Sequence, residues 1–203
     1  TFTGLTPVTC YNFYVRAVCS STDSSPWSVV GTFNTPDIND ECINSKPVPV
    51  NQNTNCTQTV FGTVAGATAS PQANTCGATA DNDDVWFHFT ATATTHYISL
   101  LEAVTAVTSP QFYPNAAPGG LNYSLYRGND CGTLTQVSCR TTNGGMETGL
   151  IIGETYKIRV YSPGTAASTK RFEICVGTKV IYCENSIPVC AVNAVVLRND
   201  VGV

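Results

Sequence analysis

Charge is what this chain lacks most. Of its 203 residues only 12% are Asp, Glu, Lys or Arg, and ten basic against fourteen acidic residues leave a formal net charge of −4. That is about half the usual charged share. It excludes a nucleic-acid binder, whose phosphate contacts need clustered Lys and Arg. Long apolar runs are missing too. The most apolar stretch, Ile187 to Leu197, contains Pro188 and Asn193 and falls short of the roughly 18 residues needed to cross a bilayer as a helix, so no membrane span is expected. Histidine is scarce, two in all, and no Cys-x-x-Cys or His-Glu-x-x-His spacing occurs, which leaves little material for a zinc site. There is no Gly-x-Ser-x-Gly elbow to present a nucleophilic serine. His88 shares a strand face with Trp86, and His96 reads as part of a Thr-rich turn, so neither is expected to act as a base. No enzyme is expected.

What is present is apolar and oxidisable. Hydrophobic residues make up 42% of the chain, enough for a core rather than disorder. Ten cysteines beside a single methionine point to an exported, oxidised protein, secreted or on the cell surface. Thr1 to Thr9 has neither the basic nor the apolar region of a signal peptide. It reads as the end of a strand and a turn, while Cys183 and Cys190 open a new pattern over residues 180–203. The chain is therefore expected to be an excerpt from a longer protein.

Between those ends the dominant period is two. Tyr11, Phe13, Val15 and Ala17 alternate with Asn12, Tyr14 and Arg16, and a second run from Trp27 to Phe33 follows a Ser-rich turn. Further on, Val85/Phe87/Phe89, Tyr123/Leu125, Tyr156/Ile158/Val160 and Phe172/Ile174/Val176 each place large apolar side chains on one face of a strand. Gly, Pro, Asn, Ser and Thr fill the gaps, and no amphipathic helix of useful length is visible. The expected class is all-β, an antiparallel β-sandwich.

Two resemblances refine this. Leu5-x-Pro7-x-Thr9-x-Tyr11, Phe13-x-Val15-x-Ala17-Val18, Ser25-Pro26-Trp27-Ser28 and Thr32-Phe33-x-Thr35-Pro36 resemble, in that order, the last strands of a fibronectin type III domain. Tyr11 would be its corner tyrosine, bonding back to the backbone upstream. Residues 1–36 would then be the C-terminal part of such a sandwich. Asn39-Asp40-Glu41-Cys42, Asp83-Asp84-Val85-Trp86-Phe87-x-Phe89, Leu125-Tyr126-x-Gly128 with Cys131-Gly132-x-Leu134, and Gly153-x-Thr155-Tyr156-x-Ile158-Arg159-Val160-Tyr161 together resemble the bacterial pre-peptidase C-terminal family, in the cysteine-rich branch of secreted Bacteroidetes proteins. That resemblance covers about residues 39–178 and implies a jelly-roll-like sandwich over 37–179, carried by hydrolases and adhesins exported by type IX secretion. It also implies calcium between an N-terminal acidic segment and a mid-chain acidic loop. On this chain the ligands would come from Asn39, Asp40, Glu41, Asp81, Asp83 and Asp84, an oxygen-rich set suited to a hard cation.

Other candidate sites come from the residues themselves. The Pro- and Gly-rich segment 104–120 reads as a long loop, and Phe112 and Tyr113 in it have no obvious core to enter. With Tyr126 they are the expected ligand-binding aromatics. Trp27 and Trp86 are expected to pack in cores. Cys10 and Cys19 lie about 30 Å apart along one extended strand, too far to pair. Of the middle six cysteines, Cys131 and Cys139 flank a short hairpin and are the favoured pair; the rest stay open among 15 connectivities. The expected role is a binding or spacer module of a large secreted adhesin, contacting polysaccharide or another cell-surface protein and the neighbouring domains of its own chain. A non-catalytic accessory domain of a secreted hydrolase or protease is the alternative.

Overall fold

The computed structural model describes residues 3–76, 81–102 and 120–179, without the side chains of residues 81, 82 and 102. Strands dominate. β1 (Cys10–Phe13) and β2 (Gly31–Asn34) form a two-stranded antiparallel ribbon. A 3₁₀ turn over Cys42–Asn44 follows, then β3 (Lys46–Pro47), β4 (Val50–Asn51), β5 (Val60–Thr63), β6 (Asp81–Thr90), β7 (Thr95–Glu102), β8 (Asn122–Arg127), β9 (Thr135–Arg140), β10 (Gly144–Thr148), β11 (Thr155–Pro163) and β12 (Arg171–Thr178). They build two five-stranded sheets. The front sheet runs β3-β6-β11-β8-β9, and the back sheet β10-β7-β12-β4 with β5 also against β12. All pairings are antiparallel except the two-residue contacts β3–β6 and β4–β12. The expected all-β sandwich is what the chain forms.

The core follows from the period-two pattern. Val85, Phe87 and Phe89 of β6, Tyr123 and Leu125 of β8, Tyr156, Ile158 and Val160 of β11, and Phe172, Ile174 and Val176 of β12 all fall in one buried cluster between the sheets. All four expected inward faces are therefore correct. Phe87 packs edge-on against Phe172 at 5.8 Å between ring centres, and Phe89 stacks on Tyr156 at 5.7 Å. Gly62 lies directly over this pair of rings. A methyl group there would meet Phe172 and Phe87, so this edge strand carries no side chain at that point.

Three corrections concern the periphery. The alternation from Tyr11 to Ala17 forms a ladder only as far as Phe13. Beyond it the Val15 and Ala17 N–H groups donate to the hydroxyls of Ser28 and Ser25 instead of to a strand. Trp27, expected in a core, is 60% exposed, with the Arg16 guanidinium 4.6 Å over its ring. His96 does not sit in a turn but in β7, fully buried.

The disulfides also differ from expectation. Cys131 pairs with Cys42 and Cys139 with Cys76, and Cys56 pairs with Cys175. Cys131 and Cys139 are not joined. Cys139 lies in β9, which runs antiparallel to β8, whereas Cys131 lies before β9 in a turn reached by the 3₁₀ segment. The bridges thus tie early, irregular segments onto two late strands and the turn before β9, and do not close local hairpins. Cys10 and Cys19 are free and exposed, in line with the distance argument.

His96 makes the fold sensitive to acid. Its Nε2 accepts from the backbone N–H groups of Thr92 and Ala93, both at 3.1 Å, so Nδ1 carries the proton and donates to the Gly177 carbonyl at 3.2 Å. Burial pushes its pKa down, against the opposing pull of the Gly177 carbonyl. Desolvation and the Lys157 charge likewise lower that of His88. The unfolded chain gains protons at about pH 6.5, while the folded chain resists them. This stability is full above that pH and is lost as the pH falls toward the lower folded pKa. The melting temperature followed by circular dichroism is expected to drop between about pH 7.5 and pH 5, and His96→Gln is expected to flatten that slope.

Candidate functional site

Only one face of the front sheet meets the core. The other carries Asp84, Trp86 and His88 of β6, Lys157, Arg159 and Tyr161 of β11, and Ser124 and Tyr126 of β8. In a plain two-layer sandwich such a face meets solvent. Instead all but His88 are buried. Two irregular segments roof them.

The first roof is the N-terminal segment 37–48. Asn39 exchanges bonds with Trp86: the Trp86 N–H donates to the Asn39 carbonyl at 2.8 Å, and Asn39 Nδ2 donates to the Trp86 carbonyl at 2.7 Å. Lys157 Nζ donates to the Cys42 carbonyl and to Ser45 Oγ, and His88 bonds the same Ser45 hydroxyl. Desolvation lowers the Lys157 pKa. Lys46 closes the segment on the Asp37 carboxylate at 2.7 Å.

The second roof is segment 64–76, and a buried ion pair organises it. Arg159 Nη2 meets Asp84 Oδ2 at 2.8 Å, with 2% and 0% of the two side chains exposed. The Asp84 carboxylate also accepts from the N–H and hydroxyl of Ser70, and the same hydroxyl accepts from the Trp86 indole N–H at 2.8 Å. Arg159 Nη1 donates to the Gln72 carbonyl at 2.9 Å. Tyr126 donates its hydroxyl to the Ala73 carbonyl at 3.0 Å, and Ser124 bonds Asn74. Cys76–Cys139 anchors the far end.

Where this roof meets the turn after β8 a groove opens, about 520 Å³ in volume. Pro71, Gln72, Ala73 and Thr75 line one side; Cys131, Gly132, Leu134 and Gln136 line the other. Tyr126 links the sides, being in register with Gln136 and bonded to Ala73. It is 2% exposed, and its ring packs on Trp86 at 5.5 Å. Tyr126 is thus at the candidate site, but as a buried linking group and not as the exposed aromatic expected. Burial raises its pKa, which keeps the hydroxyl a donor at neutral pH. A second depression of about 320 Å³ on the ribbon is lined by Tyr14, Trp27 and Ser28.

The other expected site residues are dispersed. Phe112, Tyr113 and the Asp81 side chain lie outside the described residues. Glu41 is exposed ahead of the 3₁₀ turn. Asp83 accepts from the Ser162 hydroxyl at 3.1 Å and the Ser168 N–H at 2.6 Å. Asp84 is engaged by Arg159 and Ser70. Asp40 accepts from the Thr68 N–H at 2.7 Å and its hydroxyl at 3.1 Å. Asn39 Oδ1 is buried and accepts from no group among the described residues. Among the described residues, no three His, Cys, Asp or Glu side chains come together as a metal-holding group. The groove residues Gln72 and Thr75, in irregular chain, and Gln136, in β9, had no sequence signal of their own. A usable hint was Arg159, a full charge set between Ile158 and Val160 in a chain with little charge.

Removing one member of the buried pair strands the other. Asp84→Ala is expected to destabilise the protein by about 3–5 kcal/mol, read from urea denaturation. Asp84→Ala combined with Arg159→Met is expected to lose clearly less than the sum of the two single changes.

Comparison with known families matches residues 38–174 to a galactose-binding domain-like family associated with type IX secretion. No curated protein and no solved structure matches the chain. The match begins within the N-terminal roof segment and ends in β12, so it covers both sheets, both roofs and the groove. It supports the expected Bacteroidetes type IX link, and together with three disulfides it marks the module as exported. The family differs from the pre-peptidase one that the motifs resemble. The chain belongs to the galactose-binding domain-like family associated with type IX secretion.

Proposed function

We propose that this chain is a non-catalytic binding module of a large secreted surface protein and that it contacts carbohydrate at the groove between segment 71–75 and residues 131–136. The observation that carries this reading is the lining. Two amides, a threonine, a proline, an alanine and a leucine surround an opening of about 520 Å³, within the usual size of a small-ligand site of roughly 300–1,000 Å³. The walls are held from behind by a disulfide, an ion pair and backbone bonds, so the opening is preformed. Family membership supports the sugar, and fold alone would not suffice. A glycan array probed with the whole chain is expected to show retention on a restricted set of glycans. Release of peptide or sugar product from any of them by the purified chain would overturn the non-catalytic reading.

The reading extends to the neighbouring parts of the chain. Tyr11 accepts from the Thr6 N–H at 2.9 Å, a bond back to the upstream backbone as in the tyrosine corner that residues 1–36 resemble. An isolated two-stranded ribbon is marginal in water, and Val18, Trp27 and Val29, in the segment joining its strands, are 60–90% exposed. Further strands of a fibronectin type III sandwich would cover such side chains. Calcium belongs to the proposal at Asn39 and Asp40. The Asn39 oxygen has no donor among the described residues. Burial, with repulsion from Asp84 and Asp83, raises the Asp40 pKa against the Thr68 bonds. A cation relieves both. Millimolar calcium against a chelator is expected to raise the melting temperature; equal curves would mean that Thr68 alone satisfies Asp40.

A further inference from the structure

Resting on the carbohydrate reading of the same groove, we infer that the site is selective for uncharged sugars, grips them by edge hydroxyls rather than by stacking, and uses Gln136 as its specificity-determining donor.

Both amides have their orientation forced by backbone partners. The Thr75 N–H donates to Gln136 Oε1 at 3.1 Å, so Gln136 must turn its Nε2 donors elsewhere. Gln72 Nε2 donates to the Cys131 carbonyl at 3.3 Å, so its Oε1 is the end left over. That oxygen is buried and accepts from no described group. The wall of residues 131–136 thus offers the Gln136 donor, and the facing wall the Thr75 hydroxyl, which can donate or accept; the buried Gln72 oxygen does not reach the opening. A sugar hydroxyl both donates and accepts. Neighbouring hydroxyls on one ring match such a pair, whereas an ammonium group cannot accept from the Gln136 donor.

Charge is excluded by the same walls. No charged side chain is among the described lining residues. The ions behind the roof, Asp84 and Arg159, are spent on each other. Beside the groove, the exposed Asp130 carboxylate accepts from the Gly132 N–H at 2.9 Å. A charged ligand would lose water with no counter-ion to replace it. Stacking is excluded as well. Tyr126 is the one aromatic residue among the described lining side chains, and its ring is used against Trp86. Without an exposed platform, the groove suits a chain end or a single residue met at its edge, not the flat face of a crystalline polysaccharide.

Isothermal titration of the whole chain with methyl β-galactoside, glucose, glucuronate and protonated glucosamine tests this, using Gln136→Glu as the variant. The substitution keeps the oxygen that accepts from Thr75 and replaces only the donor, so the fold is preserved; an unchanged melting temperature verifies that. One of the two neutral sugars is expected to bind at least about tenfold more tightly than either charged one, and Gln136→Glu to weaken it about tenfold while improving glucosamine binding. Equal or tighter binding of glucuronate or glucosamine by the unmodified chain would overturn the selectivity. Unchanged neutral-sugar affinity in Gln136→Glu would remove the groove as the site and leave the carbohydrate reading standing. No heat with any sugar, together with an empty glycan array, would remove both.

Discussion

A positive and a negative charge held out of water on the outer face of the front sheet set most of this architecture. Arg159 and Asp84 sit on adjacent strands of that sheet. Burying them is tolerable only when each remaining donor and acceptor is matched. The matching groups come from chain that has no regular structure of its own: the Ser70 hydroxyl and N–H and the Gln72 carbonyl. The ion pair therefore selects the path of segment 64–76, and that path makes one wall of the groove. The same demand repeats beside it, where Lys157 draws Cys42 and Ser45 over its end of the sheet.

The sandwich is thus three layers deep in places. Between the sheets lies an aliphatic and aromatic core built by alternation. Outside the front sheet lies a polar layer in which Trp86, Tyr126 and three full charges are buried together. A separate polar cluster holds the far edge. There Glu147 of β10 accepts from Tyr123 of β8 and from Ser138 and Arg140 of β9, and so joins the edges of the two sheets. Specificity of packing in such layers comes from matched hydrogen bonds more than from apolar area.

This layering explains what the sequence could and could not disclose. The inward faces were legible because alternating Val, Phe, Ile and Tyr has a single interpretation once strands are assumed. Trp86 was expected in a core and is buried, but in this outer layer; alternation alone does not reveal that Asp84, Lys157 and Arg159 are buried beside it. A roof made of irregular chain leaves no periodic trace. For the same reason Cys131 looked like a partner for its neighbour Cys139. Its true partner, Cys42, lies on the roof, and no local pattern announces a contact across 89 residues of sequence. The groove was reached only through Tyr126, because Gln72 and Gln136 acquire their roles from backbone partners far away in the chain.

The Cys56–Cys175 bridge gives the module a mechanical character. A pull along the polypeptide from residues before Cys42 to residues after Cys175 passes along the short stretch to Cys56 and then directly across the Cys56–Cys175 bond. The intervening chain, spanning a sequence separation of 119, would add about 400 Å if it could unravel, but it lies off the line of force. Both sheets and the groove sit almost wholly inside that closed loop. Under tension the chain between Cys56 and Cys175 cannot unravel, while Cys42, which lies on the line of force, passes part of the load through its bridge to Cys131 at the edge of the groove.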